Sequence, residues 1–260
     1  MRQPTVREND PRRGASVTTL AQDYAAGFQV TLHSHGSDQL IYASCGVMEV
    51  ASGQQLWMIP PHFGLWIPAR TPHHIRMPAR VSLRTIYLRP ALTTLRPECT
   101  VLHVVPLLRE IIFEVVRVGE LRNRHGTECA LRDLLVAELE RAAPVPMGVV
   151  LPKDRRALLV AQAVIADPAL RMPMKAMCAT AGISLRTLER VFRREAGSDF
   201  ESWRRRVRLM KAAELLVSGH SVKEVAGAIG YQHPGAFVTL FRGTFGLSPK
   251  AWISGLERLE

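Results

Sequence analysis

The residues best able to do chemistry in the first half of this 260-residue chain are histidines. His33 and His35 alternate, so on a strand both imidazoles leave the same face. Gln39 follows a few residues on, and His73-His74 closes the stretch that begins Pro68-Ala69-Arg70-Thr71-Pro72. Two same-face imidazoles joined by a third from another strand form a nitrogen-rich donor set suited to a divalent metal. The competing reading makes His33, His35, Gln39 and His73 the polar lining of an organic-ligand pocket, or histidines satisfied within a core. Tyr42, Trp57 and Trp66 are candidates for a pocket wall, although aromatic residues also serve as plain core.

In the second half the chemistry belongs to arginine. The chain holds 34 Lys+Arg against 23 Asp+Glu, a net charge of +11. From Lys153 onward there are 18 basic and 10 acidic residues, so most of the excess lies there. A basic C-terminal block suggests a polyanion partner, most simply nucleic acid. Along Leu185–Ala196, a helical wheel puts Leu185, Leu188, Val191 and Phe192 on one side. Arg186, Glu189, Arg190 and Arg193 fall on the other. Arginine can grip guanine O6 and N7 bidentately and can also neutralise phosphate.

These residues must be positioned by regular elements. A disordered arm is expected at residues 1–16. Short strands are expected at Gly27–His33, Gln39–Ala43, Gly46–Ala51, Gln55–Ile59, Leu65–Pro68 and Val81–Leu88, punctuated by Gly, Pro and Ser. Such spacing without intervening helices predicts an all-β sandwich or barrel over residues 17–100. After Pro106 the apolar period becomes helical, which predicts helices at about 105–118 and 127–142. The segment Ala142–Pro152 holds three prolines and a glycine and reads as a linker. Residues 101–152 are therefore dimerisation or cover helices plus linker, and 153–260 form an all-α domain. No run of about 18 apolar residues predicts a membrane span. The four cysteines form no CxxC pair, and with no apolar leader in view they suggest a reducing, cytoplasmic setting.

The all-α part repeats itself at an offset of 48 to 49 residues. One copy runs Ala179-x-x-Gly182-Ile183-Ser184, then Leu188, Phe192-Arg193 and Gly197. The other runs Ala226-x-x-x-Gly230-Tyr231, then Phe237, Phe241-Arg242 and Gly246. Each reads as a short helix, a glycine turn and a second helix, the helix-turn-helix arrangement. Ser184 caps the second helix of the first copy, and Pro234 opens that of the other. Ser198…Glu201 and Ser221…Glu224 read as capping boxes. Candidate DNA contacts are Arg186, Thr187, Glu189, Arg190, Arg193 and Arg194 in the first copy, and His233, Gly235, Thr239 and Arg242 in the second. Arg204 and Arg205 lie on the helix between them.

Residues from about 155 to 253 resemble the tandem helix-turn-helix domain of the AraC/XylS family of transcription regulators. The resemblance rests on GISLRTLERVFRREAGSDFESWRRRVRLMKAAELL and SVKEVAGAIGYQHPGAFVTLFRGTFGLSPKAW. It implies two recognition helices in successive segments of the major groove of promoter DNA. It also implies a small-molecule or metal effector, a homodimer through the middle helices, and RNA polymerase as a further partner. An arginine often stands in this family where Thr239 stands here. The histidines resemble the two cupin motifs, with His33, His35 and His73 at ligand positions, Gln39 replacing the acid and Arg70 replacing a glycine. The stretch Pro60-Pro61-His62-Phe63-Gly64-Leu65-Trp66-Ile67-Pro68 resembles one AraC-family cupin subgroup.

The expected protein is thus an α+β multidomain chain, with a cupin-like β-barrel, following helices and an all-α tandem helix-turn-helix domain. It is expected to regulate transcription and not to be an enzyme. The alternative is a cupin metalloenzyme, an oxygenase or isomerase, with a helical appendage. The basic tandem repeat, which such an enzyme does not need, and the lost acid at Gln39 argue against it. An RNA binder is disfavoured because no RNP-like aromatic strand occurs.

Overall fold

A computed structural model describes residues 10–12, 14–95, 97–122, 126–145 and 147–257. Of the expected arm, residues 1–9 and 13 lie outside the described residues, while Ala15 and Ser16 already belong to a strand. The chain divides into two compact units. One comprises the described residues of Met1–Gly53 and Ile59–Pro146, and the other those of Gln54–Met58 and Met147–Glu260.

The elements follow in chain order as β1 (Ala15–Tyr24), β2 (Gln29–His33), β3 (Asp38–Cys45), β4 (Met48–Ser52), β5 (Gln55–Ile59), β6 (Phe63–Ile67), β7 (His73–Arg76), β8 (Val81–Leu88) and β9 (Thr100–His103). Then come α1 (Pro106–Val118), β10 (Glu120–Arg122) and α2 (Gly126–Arg141). In the first unit an antiparallel sheet runs β10-β1-β8-β3-β6-β9, and β4, β7 and β2 pair side by side in a second antiparallel sheet. At Gly46, φ is +80° and a Cβ would lie 2.1 Å from the Arg80 carbonyl oxygen, so only glycine fits the turn from β3 to β4.

Period-2 alternation sorts β3 into two faces. Leu40 and Tyr42 join Trp66, Ile86 and Leu88 in a core completed by Leu108, Ile111, Ile112 and Val115 of α1 and by Leu135 and Leu139 of α2. The α1 set recurs at i, i+3, i+4 and i+7, which is why this helix lies flat on a sheet. Each such side chain contributes about 1.5–3 kcal/mol on full burial. Gln39 faces the other way.

The second unit continues with β11 (Gly148–Val150), α3 (Arg155–Ala166), α4 (Met174–Thr180), α5 (Leu185–Val191), α6 (Phe200–Val217), α7 (Val222–Ala228), α8 (Pro234–Phe245) and α9 (Pro249–Glu257). Strand β5 pairs antiparallel with β11. Gly148 sits over the Trp57 indole, where a Cβ would come within 2.5 Å of the ring. Helix α6 is the spine, burying Phe200, Trp203, Val207 and Met210 among others. The Trp203 indole N–H donates to the Val150 carbonyl at 2.9 Å.

Three local expectations need correction. The helix expected over Leu185–Ala196 is α-helical only to Val191, and Phe192–Ala196 form a π-turn. The wider turn coincides with Phe192 packing on Phe200 and Trp203, at ring-centroid distances of 5.0 and 5.1 Å. Leu185, expected inward, is 46% exposed because it stands at the first turn, beyond the packed stripe. The Ser198…Glu201 box does not form, because Asp199 is the N-cap of α6 and accepts the Ser202 N–H at 2.8 Å. The Ser221…Glu224 box is complete, and Ser184 caps α5 by accepting the Thr187 N–H at 3.1 Å.

Candidate functional site

Strands β2 and β7 bring two of the histidines together, since His33 stands directly opposite His73 in their pairing. His35 lies just past β2, in a loop whose carbonyl accepts the Arg70 N–H at 2.7 Å. Asp10 holds the next residues, accepting the Gly36 N–H at 2.9 Å and the Ser37 hydroxyl. The ligand atoms of His33, His35 and His73 all lie within 4.8 Å of one another. Ring centroids are 4.2 Å apart for His33–His73 and 5.0 Å for His33–His35. Arg70 has φ +63°, so it departs from the cupin glycine in residue type while keeping a left-handed backbone.

Two tautomers follow from hydrogen bonding. Nδ1 of His33 lies 2.7 Å from the Thr31 carbonyl oxygen, and Nδ1 of His73 lies 2.9 Å from that of Thr71. A carbonyl only accepts, so both Nδ1 atoms carry the proton and both Nε2 atoms keep a lone pair. This is the arrangement metal-ligating histidines adopt. Burial lowers the pKa of His33, and it takes His73 down to about 4, with the Thr71 carbonyl opposing. Both rings are neutral near pH 7.

The surroundings are polar where a core would be apolar. Gln39 is buried and its Oε1 has no hydrogen-bond partner among the described residues, like Nε2 of His73. Tyr87, paired with Gln39 across β3 and β8, has its ring centroid 4.8 Å from that of His35. Nothing in the residue types around Tyr87 marked it for the site. Its alternation with Ile86 and Leu88, both in the helix-side core, was the available signal.

Of the three aromatic residues expected to form a pocket wall, Tyr42 and Trp66 belong to the first unit and Trp57 to the second. Tyr42 and Trp66 lie in the core beneath α1 and α2, on the face of the sheet opposite Gln39. Trp57 packs against Gly148 in the second unit.

The second unit presents the arginine surface. Arg186, Thr187, Glu189, Arg190, Arg193 and Arg194 border one open groove on α5 and the π-turn. Leu188, Val191 and Phe192 are buried behind them. On α8, Phe237 and Phe241 are buried, while His233, Gly235, Thr239 and Arg242 are exposed. The Thr239 hydroxyl donates to the Gly235 carbonyl at 3.0 Å, which leaves its methyl as the outward group. Arg204 is engaged with Glu201 at 2.8 Å and its side chain is 19% exposed. Arg205 is exposed and donates to Ser202 Oγ at 3.1 Å. Arg208 donates to the Pro168 carbonyl at 3.0 Å and lies over the Tyr231 ring at 5.4 Å. It thereby braces α6 against the turn of the second helix-turn-helix.

A two-sheet ligand-binding domain followed by paired helix-turn-helix units with an arginine-lined groove defines a ligand-responsive, DNA-binding transcription regulator. Residues 16–135 match the AraC-like ligand binding domain, and residues 177–254 match a helix-turn-helix domain. The chain belongs to the AraC family of helix-turn-helix transcriptional regulators. It is 26% identical over 229 residues to the HTH-type transcriptional regulator NimR of Escherichia coli (strain K12), spanning 88% of this chain and 84% of that protein. It is 30% identical over 134 residues to the HTH-type transcriptional regulator RipA of Corynebacterium glutamicum, spanning 52% of this chain and 39% of that protein. Among solved structures, the DNA-binding domain of AdpA in complex with a target DNA is 32% identical, covering 41% of this chain and 96% of that one at a TM-score of 0.37. Its family makes this chain a regulator and not an enzyme, and its helix-turn-helix domain binds DNA. Among the described residues, no helix is long and apolar enough to cross a membrane.

Proposed function

We propose that this regulator senses a divalent transition metal through His33, His35 and His73, with the Gln39 amide oxygen as a further donor. The observation that carries the reading is the convergence of three imidazole ligand atoms within 4.8 Å, two of them on rings whose Nδ1–H is committed to a carbonyl. Gln39, whose buried Oε1 has no partner among the described residues, stands opposite Tyr87, and the Tyr87 ring packs on His35. A bound ion would supply positive charge that draws strands β2 and β7 and the loop of His35 onto one centre. The Thr31 and Thr71 carbonyls hold the Nδ1–H of His33 and His73, which fixes the ring orientation and leaves Nε2 unprotonated.

Gln39 favours a second reading. A neutral amide in place of a carboxylate suits a small organic effector lying against the same imidazoles. The deciding experiment measures binding of the full chain to duplexes selected from a random library, with chelator and with added Mn²⁺, Ni²⁺ or Zn²⁺. A metal-dependent change in affinity that vanishes in His33→Ala and His73→Ala supports the metal. Identical binding in all conditions rejects it.

The remaining assignments belong to the same proposal. DNA contacts come from α5 with its π-turn and from α8, and sequence preference comes mainly from the first copy. Exposed Leu107 and Leu134, at 51% and 44%, support homodimerisation through α1 and α2. The sensor occupies residues 17–100, the helices and linker 101–152, and the DNA-binding domain 153–260. A cytoplasmic protein acting with RNA polymerase on promoter DNA accords with four cysteines that are all free thiols.

A further inference from the structure

We infer that Arg208 is a positioning residue for DNA recognition: it sets the relative placement of the two helix-turn-helix motifs and thereby the spacing of the half-sites the protein accepts. The inference rests on the reading that α5 and α8 both contact DNA. Arg208 stands midway along α6, the helix that joins the two motifs. Its Nε donates to the Pro168 carbonyl at 3.0 Å. Pro168 belongs to an ordered turn, in which the Leu170 N–H donates to the Asp167 carbonyl at 3.0 Å and the Arg171 N–H to the Asp167 carboxylate at 2.9 Å. That turn leads into α4, the opening helix of the first motif.

The guanidinium also lies over the Tyr231 ring, 5.4 Å from its centroid. The Tyr231 ring in turn lies 6.2 Å from that of Phe237, which is fully buried on α8. At the same place the backbones nearly touch. Gly230 has φ +82°, and a Cβ there would come within 2.9 Å of the Ala169 carbonyl oxygen and 3.1 Å of a terminal nitrogen of Arg208. One side chain therefore ties the entry of the first motif to the recognition helix of the second. Burial, and then Arg204 one turn away, lower the Arg208 pKa. An apolar side chain of similar length would fill this space without that desolvation. What the guanidinium adds is direction, since a planar fork on a carbonyl and a ring face define one geometry. DNA makes such rigidity readable. One extra base pair between half-sites rotates the second by about 35° and moves it about 3.4 Å.

The test uses full-length protein and duplexes in which the two half-sites selected by the wild type are separated by spacers of graded length. Wild type is expected to accept a single spacing. Arg208→Met, which fills the volume without the directed contacts, should accept neighbouring spacings and bind the preferred one about tenfold more weakly. Base preference within each half-site and the urea midpoint should stay as in wild type. Arg208→Lys keeps the charge without the fork and should not restore the single spacing. Tyr231→Leu leaves the bond to Pro168 in place and should broaden the spacing as Arg208→Met does. A single spacing kept at full affinity in Arg208→Met, or in Tyr231→Leu should the first not fold, would overturn the proposal. So would broadening accompanied by a lowered midpoint, which would make Arg208 a stability residue only. A wild type that tolerates every spacing, or loses nothing when one half-site is scrambled, would overturn the reading of two DNA-contacting helices, and this inference with it.

Discussion

The Glu195 carboxylate accepts the backbone N–H of Asp154 at 3.0 Å, and the same oxygen accepts the Lys153 N–H at 2.7 Å. The end of the first recognition segment is therefore fastened to the start of α3, whose N-cap is Asp154 itself. Charge-assisted hydrogen bonds of this kind contribute about 1.5–3 kcal/mol when sheltered. Glu195→Ala is expected to destabilise the second unit by about 1–2 kcal/mol in urea unfolding followed by tryptophan fluorescence. An unchanged midpoint would mean that the fastening carries no energy.

The cap gives a pH dependence with a definite sign. The Asp154 pKa is lowered to about 2, first by its hydrogen bond to the Arg156 side chain and then by the Ala157 and Arg156 N–H groups, against desolvation. Between the ordinary value of 3.8 and about 2, the unfolded state binds more protons than the folded state. The contribution is thus fully present above about pH 4 and is lost as pH falls through 2. Asp154→Asn keeps a capping oxygen but cannot titrate. Wild type should exceed it in stability at pH 5, and the difference should close by pH 2. A gap that persists at pH 2 would assign the stabilisation elsewhere.

Much of this architecture was legible because the signals were local. Gly182 and Gly230 take φ of +67° and +82° where the repeat placed its turns. Pro234 opens α8 and Ser221 closes a capping box with Glu224, as their spacing indicated. The histidines were legible from their spacing, although His35 lies in the loop past β2 and not on the strand that alternation assumed. What was missed depends on distant partners. Strands β10 and β11 have three residues each and no pattern of their own. Trp57 is an aromatic on a strand, and only Gly148, far along the chain, decides what it touches. The π-turn at Phe192–Ala196 leaves the residue types of a helix unchanged, so periodicity could not announce it.

The helix layer separates stability from assembly. Ile112 is fully buried and Leu107 is 51% exposed on the same helix. Ile112→Ala should cost about 2–5 kcal/mol of stability. Leu107→Glu with Leu134→Glu should leave the unfolding midpoint within about 0.5 kcal/mol per site and yield a monomer in light scattering. A dimer that survives both charges would place the interface elsewhere.

The two recognition helices should contribute unequally. Arg190 can make a bidentate guanine contact, whereas Thr239 offers a methyl group. Arg190→Ala should cost about 1–3 kcal/mol of DNA affinity and relax preference at one position. Thr239→Ala should cost much less. Selection from a randomised duplex library checks both, and tighter constraint in the half-site read by α8 would reverse the assignment.

The most direct measurement on the metal-sensing account is a Co²⁺ titration of the metal-free full chain, read by visible absorption. One Co²⁺ per chain should develop d–d bands, Zn²⁺ should displace it, and His73→Ala should abolish the bands while the protein stays folded by circular dichroism. Absence of a saturable Co²⁺ spectrum, or one that survives in both His33→Ala and His73→Ala, would contradict the account.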